Sequence, residues 1–322
     1  MIIQNQSLVE ALEENKDMLL VTSARYLKQL PYNIDQNKLI LVNFANITET
    51  DLILDLIKKY QPKNLIGYGS GKVIDISKYS SFVSNTKFIA IPSCLSTNCY
   101  FTDKSTLFID NIKNTLPSKI PEKVIFDWDI IRKNQFMNRC GNIELLSSLT
   151  ALVDWQIAQD NHQENINIKI YRQAFKIAIK ASEMFFSKKN KIKTQSKLLH
   201  QSGSIAVSYG SGRPVSGSEH ILASIIENHY HCPHGLALSI SIPLVLRFQE
   251  KLDYKQIIPN FDQIFIKTFP FKNYIRDNMD KKTIYNLLSG VNPRKDRYSV
   301  IDKIKNKDFL KILGQTVDDL FS

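Results

Sequence analysis

Four of the six histidines of this chain fall in one stretch, SGSEHILASIIENHYHCPHG, as His220, His229, His231 and His234. Imidazole is the side chain most often used to bind transition metals, and zinc accepts its nitrogen together with carboxylate oxygen. The spacing sorts the four. Ser216 and Glu219 have the form of a capping box, which predicts a helix start with His220 in its first turn. Pro233 breaks the chain, and His234 then opens the next helix beside Gly235. Two imidazoles on adjoining helix starts can converge on one ion. A third ligand must come from another helix. CGNIELLSSLTALVDW at 140–155 offers Glu144, a carboxylate on an apolar helix that is costly unless paired or metal-bound. Asp154 reads as a structural hydrogen-bond acceptor, and the spacing turns Cys232 away from the pair. The competing reading makes these histidines surface or capping residues.

A second pattern is GYGSGKVID at 67–75. It follows an apolar β-rich run and opens a helical pattern, the setting in which backbone amides approach a phosphate at a helix N-terminus. It is not a P-loop, because Ile66 stands where that motif needs Gly and Val73 where it needs Ser or Thr. Nor does it fit GxGxxG.

The elements that must position these residues divide the chain. In the first third, short β-rich runs at 19–26, 39–44, 64–67, 87–92 and 124–126 alternate with helical patterns at 49–60 and 73–82. Strands separated by helices predict a parallel sheet with crossover helices. The first link, KQLPYNIDQNK, is too short for a full crossover helix. The N-terminal MIIQNQSLVEALEENKD reads as a first helix. Beyond residue 134, helical periodicity dominates, at 143–160, 170–186, 195–207, 219–229, 236–251 and 282–289. The fold class is therefore an α/β N-terminal domain with a parallel sheet, residues 1–132, and an all-helical C-terminal domain, residues 133–322.

Composition narrows the class further. The 322 residues are 43% hydrophobic and 23% charged, which excludes collagenous and disordered chains. Net charge is +11, a field that favours anionic ligands. The basic segment SKKNKIKTQSK at 187–197 reads as a solvated connection, so no nucleic acid is expected. The most apolar stretch, 236–246, is too short to span a bilayer and is interrupted by serines. Four cysteines without a CxxC pair point to reduced thiols and a cytoplasmic location.

Five segments in order, GYGSGKVIDISKY, AIPSCLSTNCYFT, CGNIELLSSLTALVDW, GSGRPVSGSEHILASIIENHYHCPHG and RKDRYSV, resemble the dehydroquinate synthase-like, iron-containing alcohol dehydrogenase superfamily, in particular its sn-glycerol-1-phosphate dehydrogenase branch. The resemblance runs from about Leu65 to Val300. It implies a dehydroquinate synthase-like fold, its α/β N-terminal domain a nucleotide-binding one with a Rossmann-like parallel sheet, in which dihydroxyacetone phosphate is reduced by NADH or NADPH at a divalent metal. The metal would be zinc, with nickel or iron as alternatives. Carried over by position, Glu144, His220 and His234 would be its ligands. Gly69, Ser70, Gly71 and Asp75 would hold the cofactor pyrophosphate, with Ser93, Ser96 and Thr102 lining the cofactor pocket. Asn98 and Ser224 fall on substrate-contact positions.

The departures are specific. The dehydrogenase branch carries Asp where this chain has Glu144, and a substrate-contacting Asp is replaced by Asn98. A substrate-contacting histidine is replaced by Ser224, and the Asp that would favour the NAD ribose is replaced by Ser23-Ala24-Arg25. With Ser224 in place of the usual histidine, a proton relay would pass through water or through His229 or His231, and Arg213 is the first choice for the substrate phosphate. Three other readings stay open: a same-family dehydrogenase for another polyol or phosphoketone, a dehydroquinate synthase-like cyclase favoured by Glu144, and a scaffold that has lost catalysis. Self-association also stays open.

Overall fold

A computed structural model describes residues 1–31, 34–110, 112–187 and 191–322. Residues 32–33, inside the first link, and 188–190, inside the basic segment 187–197, lie outside the described residues. The chain forms two compact units, Met1–Asn138 and Arg139–Ser322.

In the first unit, strands β1 (Ile2–Asn5), β2 (Met18–Thr22), β3 (Leu39–Leu41), β4 (Asn64–Gly69) and β5 (Lys87–Pro92) are followed by a hairpin, β6 (Lys104–Ile109) and β7 (Ile112–Pro117), and by β8 (Lys123–Phe126). All but the hairpin join one six-stranded sheet in the order β1-β8-β5-β4-β2-β3. Every pairing in it is parallel. Such a sheet is covered on both faces, so its strands read as unbroken apolar runs. Leu20 joins Ile66, Tyr68, Ile91 and Ile125 in one core, beneath helix α1 (Leu8–Glu14). Its neighbours Leu19 and Val21 face the other way, onto Leu65, Ile53 of α2 (Ile47–Tyr60) and Val73 of α3 (Gly71–Ser84).

The order of connection reverses between β2 and β4: β3 lies outside β2, and β4 returns to the other side of it. In open α/β sheets the crevice at the carboxyl ends of such strands is where ligands bind. Here those ends are Thr22 and Gly69.

Several elements differ from expectation. The N-terminus opens with a strand before its helix. β1 pairs only with β8 at the sheet edge and leaves Ile2 and Ile3 exposed, so no two-sided apolar pattern announces it. The run expected as a strand over 19–26 stops at Thr22 and turns into a 3-10 segment, Ala24–Gln29, which buries Tyr26. The β6–β7 hairpin was not expected.

The described residues beyond β8 are helical: α4 (Trp128–Lys133), α5 (Gln135–Leu146), α6 (Ser148–Asp160), α7 (Ile168–Phe186), α8 (Ile192–Tyr209), α9 (Ser218–Tyr230), α10 (His234–Lys251), α11 (Phe261–Lys267), α12 (Lys272–Asn278), α13 (Lys281–Ser289), α14 (Val300–Lys303) and α15 (Asn306–Phe321). The single helix expected over 143–160 is two. Ser147 breaks it, its hydroxyl donating to Glu144 O at 2.6 Å and to Val215 O at 2.8 Å. Among the described residues, no helix is long and apolar enough to cross a membrane.

Candidate active site

The second unit brings Glu144, His220 and His234 together from α5, α9 and α10. Their ligand atoms all lie within 4.8 Å of one another. His234 Nε2 stands 3.3 Å from Glu144 Oε2, and His220 Nε2 stands 3.9 Å from Oε1. The two rings are 4.9 Å apart at their centroids. Each histidine sits where its helix begins: His220 in the first turn of α9 and His234 as the first residue of α10, directly after Pro233. Close approach of α10 to α5 depends on Gly235. A Cβ there would lie 2.2 Å from Cys140 O, one turn before Glu144.

The other ring nitrogens are also held by carboxylates. His220 Nδ1 meets Glu219 Oε1 at 2.7 Å, and His234 Nδ1 meets Glu227 Oε2 at 2.7 Å. A carboxylate on Nδ1 fixes the tautomer and turns Nε2 toward the ion, the usual outer arrangement of histidine–metal sites. Glu219 is itself fully buried, accepting from Thr150 Oγ1 at 2.6 Å and from the Gly217 N–H at 2.6 Å. The capping box expected from Ser216 and Glu219 is therefore absent. Gly217 caps α9, and the Glu219 carboxylate is committed to the site instead.

This donor set fits a divalent cation. Glu144 Oε2 is buried without a hydrogen bond among the described residues. Burial alone would raise the Glu144 pKa, but the neighbouring His234 and His220 charges and hydrogen bonds hold it well below the usual carboxylate range. For His220, burial disfavours the charged form, and hydrogen bonds and charge from Glu144 and Glu219 outweigh it, raising the pKa. Those protons occupy places an ion would take. Three protein ligands would leave a fourth position open for an oxygen of substrate.

The remaining expected residues fall elsewhere. His231 does not join the three: it is exposed, left-handed at φ +49°, and ends α9 through its N–H to Glu227 O. That is a backbone role, and it does not bring the His231 side chain into the expected proton relay. His229 is exposed and packs on Tyr230. Ser224 lies one turn after His220, its hydroxyl bound to Ile221 O at 2.8 Å. Arg213 corrects a second expectation. Only 2% exposed, it pairs through Nε with Glu164 at 2.9 Å and donates Nη2 to the carbonyls of Asp154 and Tyr298, so its charge is already spent. Asp154 is the structural acceptor expected, taking N–H groups from Ser218, Gln249 and Val300.

In the first unit, β4 ends at Gly69 and Ser70 leads into α3 at Gly71. A Cβ on Gly69 would come within 2.8 Å of Val73 Cγ2, so only glycine lets the turn close. The Ser70 side chain makes no cap bond, which leaves first-turn amides of α3 for an anion. Ser93, at the end of β5, donates its N–H to Gly69 O and its hydroxyl to Tyr26 Oη, both at 2.8 Å. Ser96 is buried beside Cys94. Asn98 begins a 3-10 turn that Thr102 closes.

Asp75 is a third correction. One turn into α3, its carboxylate faces Lys78 at 3.5 Å and the backbone of Thr106, not the glycine turn. Lys78, fully buried, donates to the carbonyls of Cys99 and Thr102 and also to Lys104 O. The pair clamps the segment that carries Asn98 and Thr102. Lys78 and Glu227 were both missed in the sequence, because each acts across a distance that only the fold closes.

Comparison with known proteins adds the following. The model of the iron-containing alcohol dehydrogenase family matches residues 7–134. The chain is 24% identical over 302 residues to a glycerol-1-phosphate dehydrogenase (NAD(P)+) of Saccharolobus islandicus, covering 88% of this chain and 84% of that one. It is 23% identical over 274 residues to the Thermococcus sibiricus protein of the same name, covering 83% and 77%. Among solved structures, sulfoacetaldehyde reductase from Bifidobacterium kashiwanohense superposes with TM-score 0.64 at 14% identity, covering 98% of this chain and 97% of that one. Glycerol dehydrogenase from Schizosaccharomyces pombe does so with TM-score 0.61 at 13% identity, covering 97% and 86%.

Proposed function

We propose that the chain is a dehydrogenase of the iron-containing alcohol dehydrogenase superfamily, similar to the glycerol-1-phosphate dehydrogenases, and that it reduces dihydroxyacetone phosphate to sn-glycerol 1-phosphate with NADH or NADPH. The observation that carries the reading is the meeting of Glu144, His220 and His234 with their Nε2 atoms turned inward. A divalent ion bound by these three residues supplies Lewis acidity to a ketone oxygen, and zinc, nickel and iron all suit the donors.

The protein's own groups prepare that site. Glu219 and Glu227 accept from the Nδ1 positions and keep both rings in one orientation. Gly69, Ser70 and Gly71 shape the turn for a pyrophosphate, and Ser93, whose N–H donates to Gly69 O, borders it; Ser96 and Thr102 would complete the cofactor pocket. Lys78 and Asp75 fix the segment from which Asn98 would reach substrate. Asn98 and Ser224, which differ from the branch pattern, favour a second reading in which another phosphorylated or polyol ketone is the substrate.

Following NADH and NADPH oxidation with dihydroxyacetone phosphate, dihydroxyacetone and a panel of short ketose phosphates, before and after chelation, tests the proposal. Chelator-sensitive oxidation highest with dihydroxyacetone phosphate is expected. A higher rate with another ketone supports the second reading, and inertness of the zinc-loaded protein toward the whole panel contradicts both.

A further inference from the structure

Ser70 is a serine that does not cap the helix it precedes. Serine is among the best N-cap residues, its oxygen accepting from the second or third amide of the helix. Ser70 has the extended backbone of a cap, φ −80° and ψ −180°, yet its side chain makes no such bond. The first bond of α3 runs from Ile74 N–H to Ser70 O at 3.1 Å, so the amides of Gly71, Lys72 and Val73 have no partner inside the helix.

What occupies the Ser70 hydroxyl is Tyr26. This tyrosine lies in the 3-10 segment Ala24–Gln29, just beyond the end of β2, and is only 3% exposed. Its ring packs on Tyr68 of β4 with centroids 5.4 Å apart, and Tyr68 Oη is hydrogen-bonded to Gln29 at the far end of the same segment. The ring is thereby fixed, and its Oη meets the glycine turn. Ser93 Oγ donates to it at 2.8 Å, while Ser93 N–H donates to Gly69 O at 2.8 Å. Burial pushes the Tyr26 phenol above its ordinary range, and hydrogen bonding to Ser93 and, more weakly, to Ser70 opposes this. With Ser93 donating to it, the phenol has its own proton to give, and Ser70 Oγ is the hydroxyl beside it that can accept.

We propose that Tyr26 is a positioning residue for the cofactor: it holds the Ser70 hydroxyl off the start of α3 and so keeps the first-turn amides free for the pyrophosphate. This rests on the dehydrogenase reading above. Tyr26 itself need not touch the cofactor, because its effect passes through Ser70.

The test measures NADH and NADPH binding by fluorescence, and ADP binding by calorimetry, in four zinc-loaded proteins: wild type, Tyr26→Phe, Ser70→Ala and the double variant. Tyr26→Phe releases Ser70 to cap α3 in competition with the ligand, and is expected to weaken NADH and ADP binding about 3- to 10-fold. In the Ser70→Ala background no hydroxyl is left to cap, and the same substitution is expected to lose its effect, so the two are not additive. Unaltered zinc content shows that the variants are folded. A folded Tyr26→Phe that binds NADH and ADP as wild type does overturns the proposal. An equal loss in both backgrounds also overturns it, since Tyr26 would then act by packing alone. If Tyr26→Phe does not fold, amide hydrogen exchange of the wild type decides. Lys72 and Val73 are expected to exchange fast without nucleotide and to be protected by ADP, and protection already present without it overturns the proposal. A wild type that binds neither NADH nor NADPH contradicts the dehydrogenase reading instead.

Discussion

The Nδ1 carboxylates decide how the histidines work. Without Glu227, the His234 ring would be free to rotate and to take the wrong tautomer, although its Nε2 would remain a ligand. Glu227→Gln is therefore expected to weaken zinc binding about 10- to 100-fold while leaving turnover near normal at saturating zinc. Competition with a chromophoric chelator measures the affinity, and an unchanged value would remove Glu227 from the site. His231 stands at the other extreme: exposed and engaged through its backbone, it is expected to tolerate His231→Ala with no loss of kcat. A clear fall in kcat with full metal content would return it to the reaction.

At this scale the sequence was informative where chemistry is local. Two histidines at helix starts and one acid on an apolar helix could be picked out by spacing and burial cost. Arg213 could not be judged in the same way, because nothing in SGRPVSG announces Glu164 and two carbonyls waiting in the core. Asp75 was read with the glycine turn it follows, yet one helical turn rotates it toward Lys78.

The site is a product of how α5, α9 and α10 meet. Gly235 sits against Cys140 with no room for a methyl group, and the next residue back is His234. Gly235→Ala must push α10 away from α5, a strain of about 1 to 3 kcal/mol for an added carbon in a packed interior. The expected result is a lower Tm together with zinc loss, since the displacement separates His234 from Glu144. A variant with lower Tm and normal zinc content would show that α10 can shift without disturbing the ligands.

Periodicity exposed the long amphipathic helices and the two-sided strands, because burial writes itself into every third or every second residue. It failed where burial is one-sided or short. β1 lies at an edge, β6–β7 form a hairpin, and Ser147, where α5 gives way to α6, is hydrogen-bonded to Val215, far along the chain.

For the molecule as a whole, the metal should matter to stability as well as to chemistry. In metal-free protein His220 keeps its proton above the ordinary histidine value of 6.5, because Glu144 and Glu219 accept from it. The stability that this adds is complete below that ordinary value and is lost as pH rises through the raised one. Binding a cation requires the neutral ring, so its contribution grows over the same window. The difference in Tm between zinc-loaded and chelated protein is thus expected to widen from about pH 6 to pH 8. A difference that stays flat or narrows would contradict the assignment of His220 as a ligand.

The claim on which the account turns is that three side chains, one carboxylate and two imidazoles, hold a single ion. Divalent-metal content per chain, measured on wild type and on a Glu144→Ala, His220→Ala double variant after equilibration with zinc and removal of loosely bound metal, tests it most directly. About one ion per chain in wild type and almost none in the variant, with NADH affinity equal in both, is the predicted result. A variant that still carries its ion, or a wild type that takes up none, would contradict it.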